Sequence, residues 1–219
     1  MRINITPQAV YEFVNNISKD PNPIHREKNP VIPGDLLVSL YLITKGLQYG
    51  EFSFNSIRKA PVEIEIRDGG IYHNNKKIIS YQLYHMIPYK MLESYDIAWE
   101  EVNSNEKLNE VIRFFNKHFD NIFDTYYPKR PHRESVARLI FAYTLLTNKI
   151  ASYINEKYKN VSLAVYTRHS FVSTLEHKDS NDITYVIEEN KEKRIALIRA
   201  FMPYNPDIII SKEVKLKYK

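Results

Sequence analysis

The sequence predicts an α+β chain in which a helix followed by antiparallel strands occurs twice. Three observations carry this. Leu36, Leu37, Leu40, Tyr41 and Ile43 recur at helical spacing in a nearly all-apolar segment, and strand-like runs with period-two alternation follow it. A second, longer helical pattern at about 134–157 is again followed by strand-like runs. Between the two, charged residues interleave with Val111, Ile112, Phe114, Phe115, Phe119 and Phe123, the pattern of helices with one apolar face.

Taken in order, Thr6-Pro7 supplies an N-cap and a first-turn proline, and Val10, Phe13, Val14 and Ile17 continue at helical spacing to Ser18. A loop follows, then Pro33-Gly34 opens the apolar helix, which should end near Gly46, where a left-handed terminal residue is easily accommodated. Strands are expected at 51–58, 62–68 and 77–87, with turns at Gly69-Gly70 and Asn74-Asn75. The connector is expected over 91–127. Strands at 162–175, 183–187, 194–203 and 208–218 complete the second half. The triplet His25-Arg26-Glu27 returns at His132-Arg133-Glu134, the one trace of repetition at the level of residues.

Composition narrows the function classes. With 219 residues, 43% hydrophobic and 13% aromatic, the chain can build a sizeable core. It has no cysteine, which removes disulfides and thiolate chemistry. The N-terminus shows no apolar signal core and no apolar run is long enough to span a bilayer, so a soluble cytoplasmic protein without membrane association is expected. Five glycines, at 34, 46, 50, 69 and 70, draw no phosphate-cradling loop. The net charge of +5 is dispersed among acids, so no nucleic-acid partner is expected.

His73, His85, His118, His132, His169 and His177 lack companions at metal-ligand spacing and read as surface or core-edge residues, and no metal is expected. Lys129, Arg130 and Arg133, and Lys191, Lys193 and Arg194, read as solvated basic faces. Tyr41, Tyr81 and Tyr143 read as core aromatics that could also line a groove.

The chemistry concentrates in Asp20-Pro21-Asn22-Pro23-Ile24-His25. A carboxylate and an imidazole stand five residues apart on a proline-framed bend, a ready acid/base pair. Asn22 suits side-chain to backbone hydrogen bonding that fixes the loop. Gly34 precedes a helix whose first N–H groups lack intrahelical acceptors, so it suits a backbone donor to developing negative charge. Asp35 is expected to cap that turn from outside any pocket.

The Asp-Pro-Asn-Pro-Ile-His run, followed by a loop and the Gly34-led helix, resembles the signature of the MaoC-like enoyl-thioester hydratases and dehydratases. The specific match covers about residues 6–40. The loop from His25 to Gly34 is shorter than usual there, and Pro33 stands where those enzymes often carry histidine.

The resemblance implies a double hot-dog fold, antiparallel sheets each wrapping a central helix. Residues 1–90 would form an N-terminal unit with the catalytic motif, 91–127 a helical connector, and 128–219 a degenerate C-terminal unit. It implies hydration of trans-2-enoyl thioesters or dehydration of (R)-3-hydroxyacyl thioesters in fatty-acid metabolism, with no cofactor. Asp20 and His25 would act on the water, the Gly34 N–H would steady the enolate oxygen, and Asn22 and Ser39 would support the site. The partner would be an acyl thioester of coenzyme A or of acyl carrier protein, and a homodimer remains open. A non-catalytic acyl-thioester-binding protein and an acyl-CoA thioesterase are the alternatives on the same scaffold.

Overall fold

The computed structural model describes residues 1–46, 50–83, 93–95, 102, 104–158, 160–172, 183–205 and 208–219. Its strands are β1 (Arg2–Ile5), β2 (Gly50–Phe54), β3 (Val62–Arg67), β4 (Gly70–His73), β5 (Lys76–Leu83), β6 (Glu93–Tyr95), β7 (Val161–Val172), β8 (Ile183–Asn190), β9 (Ile195–Asn205) and β10 (Ile208–Tyr218). Its α-helices are α1 (Pro7–Glu12), α2 (Gly34–Lys45), α3 (Asn105–His118), α4 (Ile122–Tyr126) and α5 (Arg130–Lys157). A π-helical turn covers Phe13–Ser18 and a 3₁₀ turn Pro23–Arg26. The fold is therefore mixed α+β, and every strand pairing described is antiparallel.

The chain forms two compact units, one of Met1–Gln48, Phe54–Ser80 and Ala98–Asn148, the other of Tyr49–Ser53, Tyr81–Ile97 and Lys149–Lys219. In the first, the strand order is β1-β3-β4-β5. Its core is α2, whose residues from Asp35 to Ile43 are all buried. A helix apolar on most faces gains about 1.5–3 kcal/mol per large side chain only if every face is covered, and here it is. Gly46 closes α2 at φ 77°, with its N–H on the Leu42 carbonyl at 2.9 Å. Phe13 packs on Phe114 and Phe115 of α3 at 5.5 and 6.3 Å, and Phe115 on Phe123 of α4 at 5.8 Å.

In the second unit the strand order is β2-β7-β10-β9-β8-β6. One cross-strand row runs Phe52, His169, Lys212, Ala200, Tyr185 through successive pairings, and all five side chains are buried. The neighbouring row holds Arg168, Glu213 and Arg199, and strand alternation points it to the opposite face. There Arg199 Nε meets a Glu213 carboxylate oxygen at 2.7 Å. Tyr153 of α5 stacks on Tyr185 with ring centroids 4.1 Å apart.

Several expectations need adjustment. β1, β4 and β6 are strands where none was predicted: Ile3 and Ile5 are buried in a four-residue strand too short to announce itself, Gly70 opens β4 rather than turning, and β6 pairs with β8 within the stretch expected as a helical connector. A Cβ on Gly70 would lie 2.1 Å from the Ile79 carbonyl oxygen, so glycine is required for strand contact as well as for its φ of 147°. The turn falls at Asp68-Gly69; Asn74 and Asn75, both at positive φ, make the next one. The strand expected over 51–58 stops at Phe54, because the Asn55 N–H turns to the Ile78 carbonyl and Arg58 accepts from Ile32. Helix α5 starts at Arg130, four residues early, since Pro131 is tolerated in a first turn.

His169 is a core residue rather than a core-edge one, at 1% exposure. Tyr41 and Tyr143 are buried, and Tyr81 packs on Phe52 at 5.0 Å. The expected strand end at 84–87, most of 91–101, the stretch 173–175, His85 and His177 lie outside the described residues. Among the described residues no helix is long and apolar enough to cross a membrane.

Candidate active site

The bend that carries Asp20 and His25 is built by short-range hydrogen bonds. Thr6 accepts the Ala9 N–H at 3.1 Å and starts α1, and the helix widens into the π turn before Lys19, at φ 50°, reverses the chain. Asp20 Oδ1 then accepts the Asn22 N–H at 2.9 Å, and Asn22 Oδ1 accepts the Ile24 N–H at 3.2 Å. Pro23 sits at the start of the 3₁₀ turn, where its missing N–H costs nothing. Arg26 donates from Nη1 to the Asp20 and Asn22 carbonyls at 2.9 and 3.3 Å, closing the bend from the solvent side.

These contacts bring the two reactive candidates together. His25 Nε2 lies 3.4 Å from Asp20 Oδ2. The His25 side chain is 8% exposed, turned into the protein rather than to bulk solvent, and the Asp20 side chain is 13% exposed. His25 Nδ1 is 2.7 Å from the Val31 carbonyl oxygen, which can only accept, so Nδ1 carries a hydrogen. Nε2 is thereby left as the nitrogen that faces the carboxylate.

The Val31 anchor also connects this pair to the start of α2. Val31 donates its own N–H to the Ile24 carbonyl at 3.1 Å, Ile32 donates to Arg58 at 2.9 Å, and Ala60 donates to Pro30 at 2.9 Å. Gly34, three residues beyond Val31, is the first residue of α2, and Pro33 brings no side-chain cap. A Cβ on Gly34 would lie 2.6 Å from the Phe54 ring. The space left by its missing side chain is thus occupied by Phe54, and the glycine serves packing at its Cα whatever its N–H does.

Two expectations about α2 change. Asp35 is not outside: it is 4% exposed, and Thr147 of α5 donates to its Oδ2 at 2.5 Å. Ser39 is fully buried and donates to the Asp35 carbonyl at 2.7 Å, so its hydroxyl serves its own helix.

Sequence reasoning missed Val31, Thr147, Asn148 and Ser18. Val31 acts through its main chain, which leaves no mark on residue type. Thr147 and Asn148 had a signal, polar residues in the otherwise apolar run around Leu145 and Leu146. Asn148 Nδ2 donates to the Lys19 carbonyl at 3.4 Å. Ser18 Oγ is buried with no hydrogen-bond partner among the described residues, just ahead of Asp20. Among the described residues no group of three or more histidines and acids is placed to hold a metal.

Comparison with known proteins adds little to this geometry. Residues 1–83 match the model of a family described as "Protein of unknown function (DUF3581)", a stretch that contains Asp20, His25, Gly34 and Ser39. No curated protein matches the chain. Among solved structures it is similar to one titled "Crystal structure of bifunctional dehydratase-cyclase domain in ambruticin biosynthesis", at 7% identity and a TM-score of 0.38, over 100% of this chain and 90% of that one. At that score the likeness decides neither fold nor chemistry.

Proposed function

We propose that this protein hydrates trans-2-enoyl thioesters, or in reverse dehydrates (R)-3-hydroxyacyl thioesters, on a double hot-dog scaffold of MaoC-like type. Residues 1–90 supply the catalytic unit, 91–127 the connector and 128–219 its degenerate partner. The observation that carries the reading is the oriented pair, His25 Nε2 held 3.4 Å from Asp20 Oδ2 by the Val31 carbonyl behind the ring.

In this reading Asp20 and the His25 Nε2 share one water molecule. Its oxygen bonds to the β-carbon while a proton leaves it for the pair, and the double-bond electrons move onto the thioester oxygen as an enolate. The Gly34 N–H at the start of α2 steadies that oxygen. Return of a proton to the α-carbon regenerates the thioester, so water is added with no oxidant, metal or cofactor. The dipeptide geometry around Asn22 keeps acid and imidazole near their working positions before substrate arrives, which lowers the cost of reaching the transition state. The acyl group would come on coenzyme A or acyl carrier protein in the cytoplasm, as part of fatty-acid metabolism.

The test is loss of crotonyl-CoA absorbance, with thiol release followed in parallel. Wild-type turnover without thiol release, abolished by Asp20→Asn and by His25→Ala in folded protein, is expected. Thiol release would assign thioester hydrolysis instead, and binding without either signal would assign a non-catalytic thioester-binding protein. Unchanged hydration in both variants would overturn the assignment of the pair.

A further inference from the structure

Arg58 carries a charge that the fold leaves unanswered. Its Nε is buried with no hydrogen-bond partner among the described residues. Its guanidinium donates from Nη1 to the carbonyl of the preceding Ile57 at 2.8 Å, an exposed contact, and no carboxylate among the described residues pairs with it. A guanidinium holds five N–H donors in a planar fork and keeps its charge at every physiological pH, so one neutral acceptor leaves most of it open.

The main chain fixes where this cation stands. The Arg58 carbonyl accepts the Ile32 N–H at 2.9 Å, Val31 forms a bridge with Lys59, and Ala60 donates to Pro30 at 2.9 Å. Val31 is the residue whose carbonyl oxygen lies behind the His25 ring, so Arg58 belongs to the segment laid against the one that orients the imidazole. All these residues are in the first compact unit. Lys59 Nζ reaches Glu27 at 3.0 Å, whereas Arg26 bonds main-chain carbonyls. Segments 26–28 and 58–59 thus set Arg26, Lys28, Arg58 and Lys59 against the single acid Glu27. Beside them Ile57 is 64% exposed, more than any other large hydrophobic residue described.

We propose that Arg58 binds a phosphate of coenzyme A, with Ile57 against the dimethyl-bearing carbon that adjoins that phosphate in the pantetheine arm. A phosphate ester presents more than one acceptor oxygen to the guanidinium fork at once. The surplus of cations around Arg58 favours the several phosphate charges of coenzyme A over a lone phosphodiester. The choice of coenzyme A rests on the thioester reading of the site, but the preference of Arg58 for a phosphate does not. Arg58 is a binding residue and takes no part in the addition of water.

The experiment uses Arg58→Met, which keeps an apolar stem and removes the guanidinium, and Arg58→Lys, which keeps the charge without the fork; Arg58→Gln replaces the methionine variant if that does not fold. In calorimetric titration with coenzyme A, Arg58→Met should raise Kd about tenfold to a hundredfold, and Arg58→Lys less. Arg113→Met, which removes a charge exposed on α3, should leave Kd unchanged. In turnover, Arg58→Met should raise KM for crotonyl-CoA with kcat unchanged, and leave KM for crotonyl-pantetheine, which has no phosphate, where it was. Absence of coenzyme A binding by the wild type, equal losses in Arg58→Met and Arg113→Met, or an equal rise of KM for both thioesters overturns the proposal. Coenzyme A bound through Arg58 without turnover overturns the hydratase reading alone. Turnover of crotonyl-pantetheine without coenzyme A binding overturns the role of Arg58 alone.

Discussion

Glu12 and His118, 106 residues apart in the chain, meet at 2.8 Å between Oε2 and Nε2. Gln8 donates to the same carboxylate at 2.8 Å and Lys117 at 2.9 Å. The cluster ties the end of α1, where the π turn toward Asp20 begins, to the last turn of α3.

These donors, Gln8 first, then Lys117 and His118, lower the Glu12 pKa to about 2. A carboxylate depressed on folding contributes stability that is present above its unfolded pKa and is lost as pH falls toward the folded one. Glu12→Gln should therefore cost about 1 kcal/mol at pH 6, kept modest by solvent screening at a partly exposed site. The gap between the two proteins should close between about pH 4.5 and about pH 2. Urea midpoints measured at pH 6, 4 and 2.5 check this, and a gap independent of pH contradicts it.

His169 should show a different window. Burial, with a smaller contribution from the nearby Lys212, holds its pKa well below 6.5. The folded protein then binds fewer protons than the unfolded chain, so stability is present above pH 6.5 and falls below it, by up to about 1.4 kcal/mol per pH unit. His169→Gln should flatten the stability profile between pH 7 and pH 5. A wild-type profile already flat across that range would show that the imidazole is charged in the folded state.

Gly34 and Phe54 form a size-matched pair. Gly34→Ala should destabilise the protein by about 1–3 kcal/mol, because the new methyl group meets the Phe54 ring at 2.6 Å. In a Phe54→Ala background the same change should cost much less, which is the non-additivity expected of residues in contact. Denaturant unfolding of the four proteins measures it, and simple additivity would show that the ring moves aside freely.

What residue types alone could reveal is clear from α2 and from the Asp20 bend. A run of apolar residues bounded by Pro33-Gly34 and Gly46 admits few conformations other than a buried helix, and the structure has it from Gly34 to Lys45. Asp, Asn and proline at alternating positions similarly dictate a local bend, since each hydrogen bond spans only two residues. Strands with regular alternation were equally legible, whereas β1 and β4, at four residues each, were not.

By itself, then, the sequence determined the α+β class, most helices and strands, and the nearness of Asp20 to His25, because these depend on spacing along a short stretch of chain. Only the tertiary structure decided which ring nitrogen faces Asp20, what fills the space at Gly34, and that the buried Asp35 side chain accepts from Thr147. Each of those depends on a group distant or anonymous in sequence: the main-chain oxygen of Val31, the Phe54 ring, and the Thr147 hydroxyl 112 residues away. Pattern records which faces are apolar, but a single donor or ring arriving from another element leaves no periodic trace.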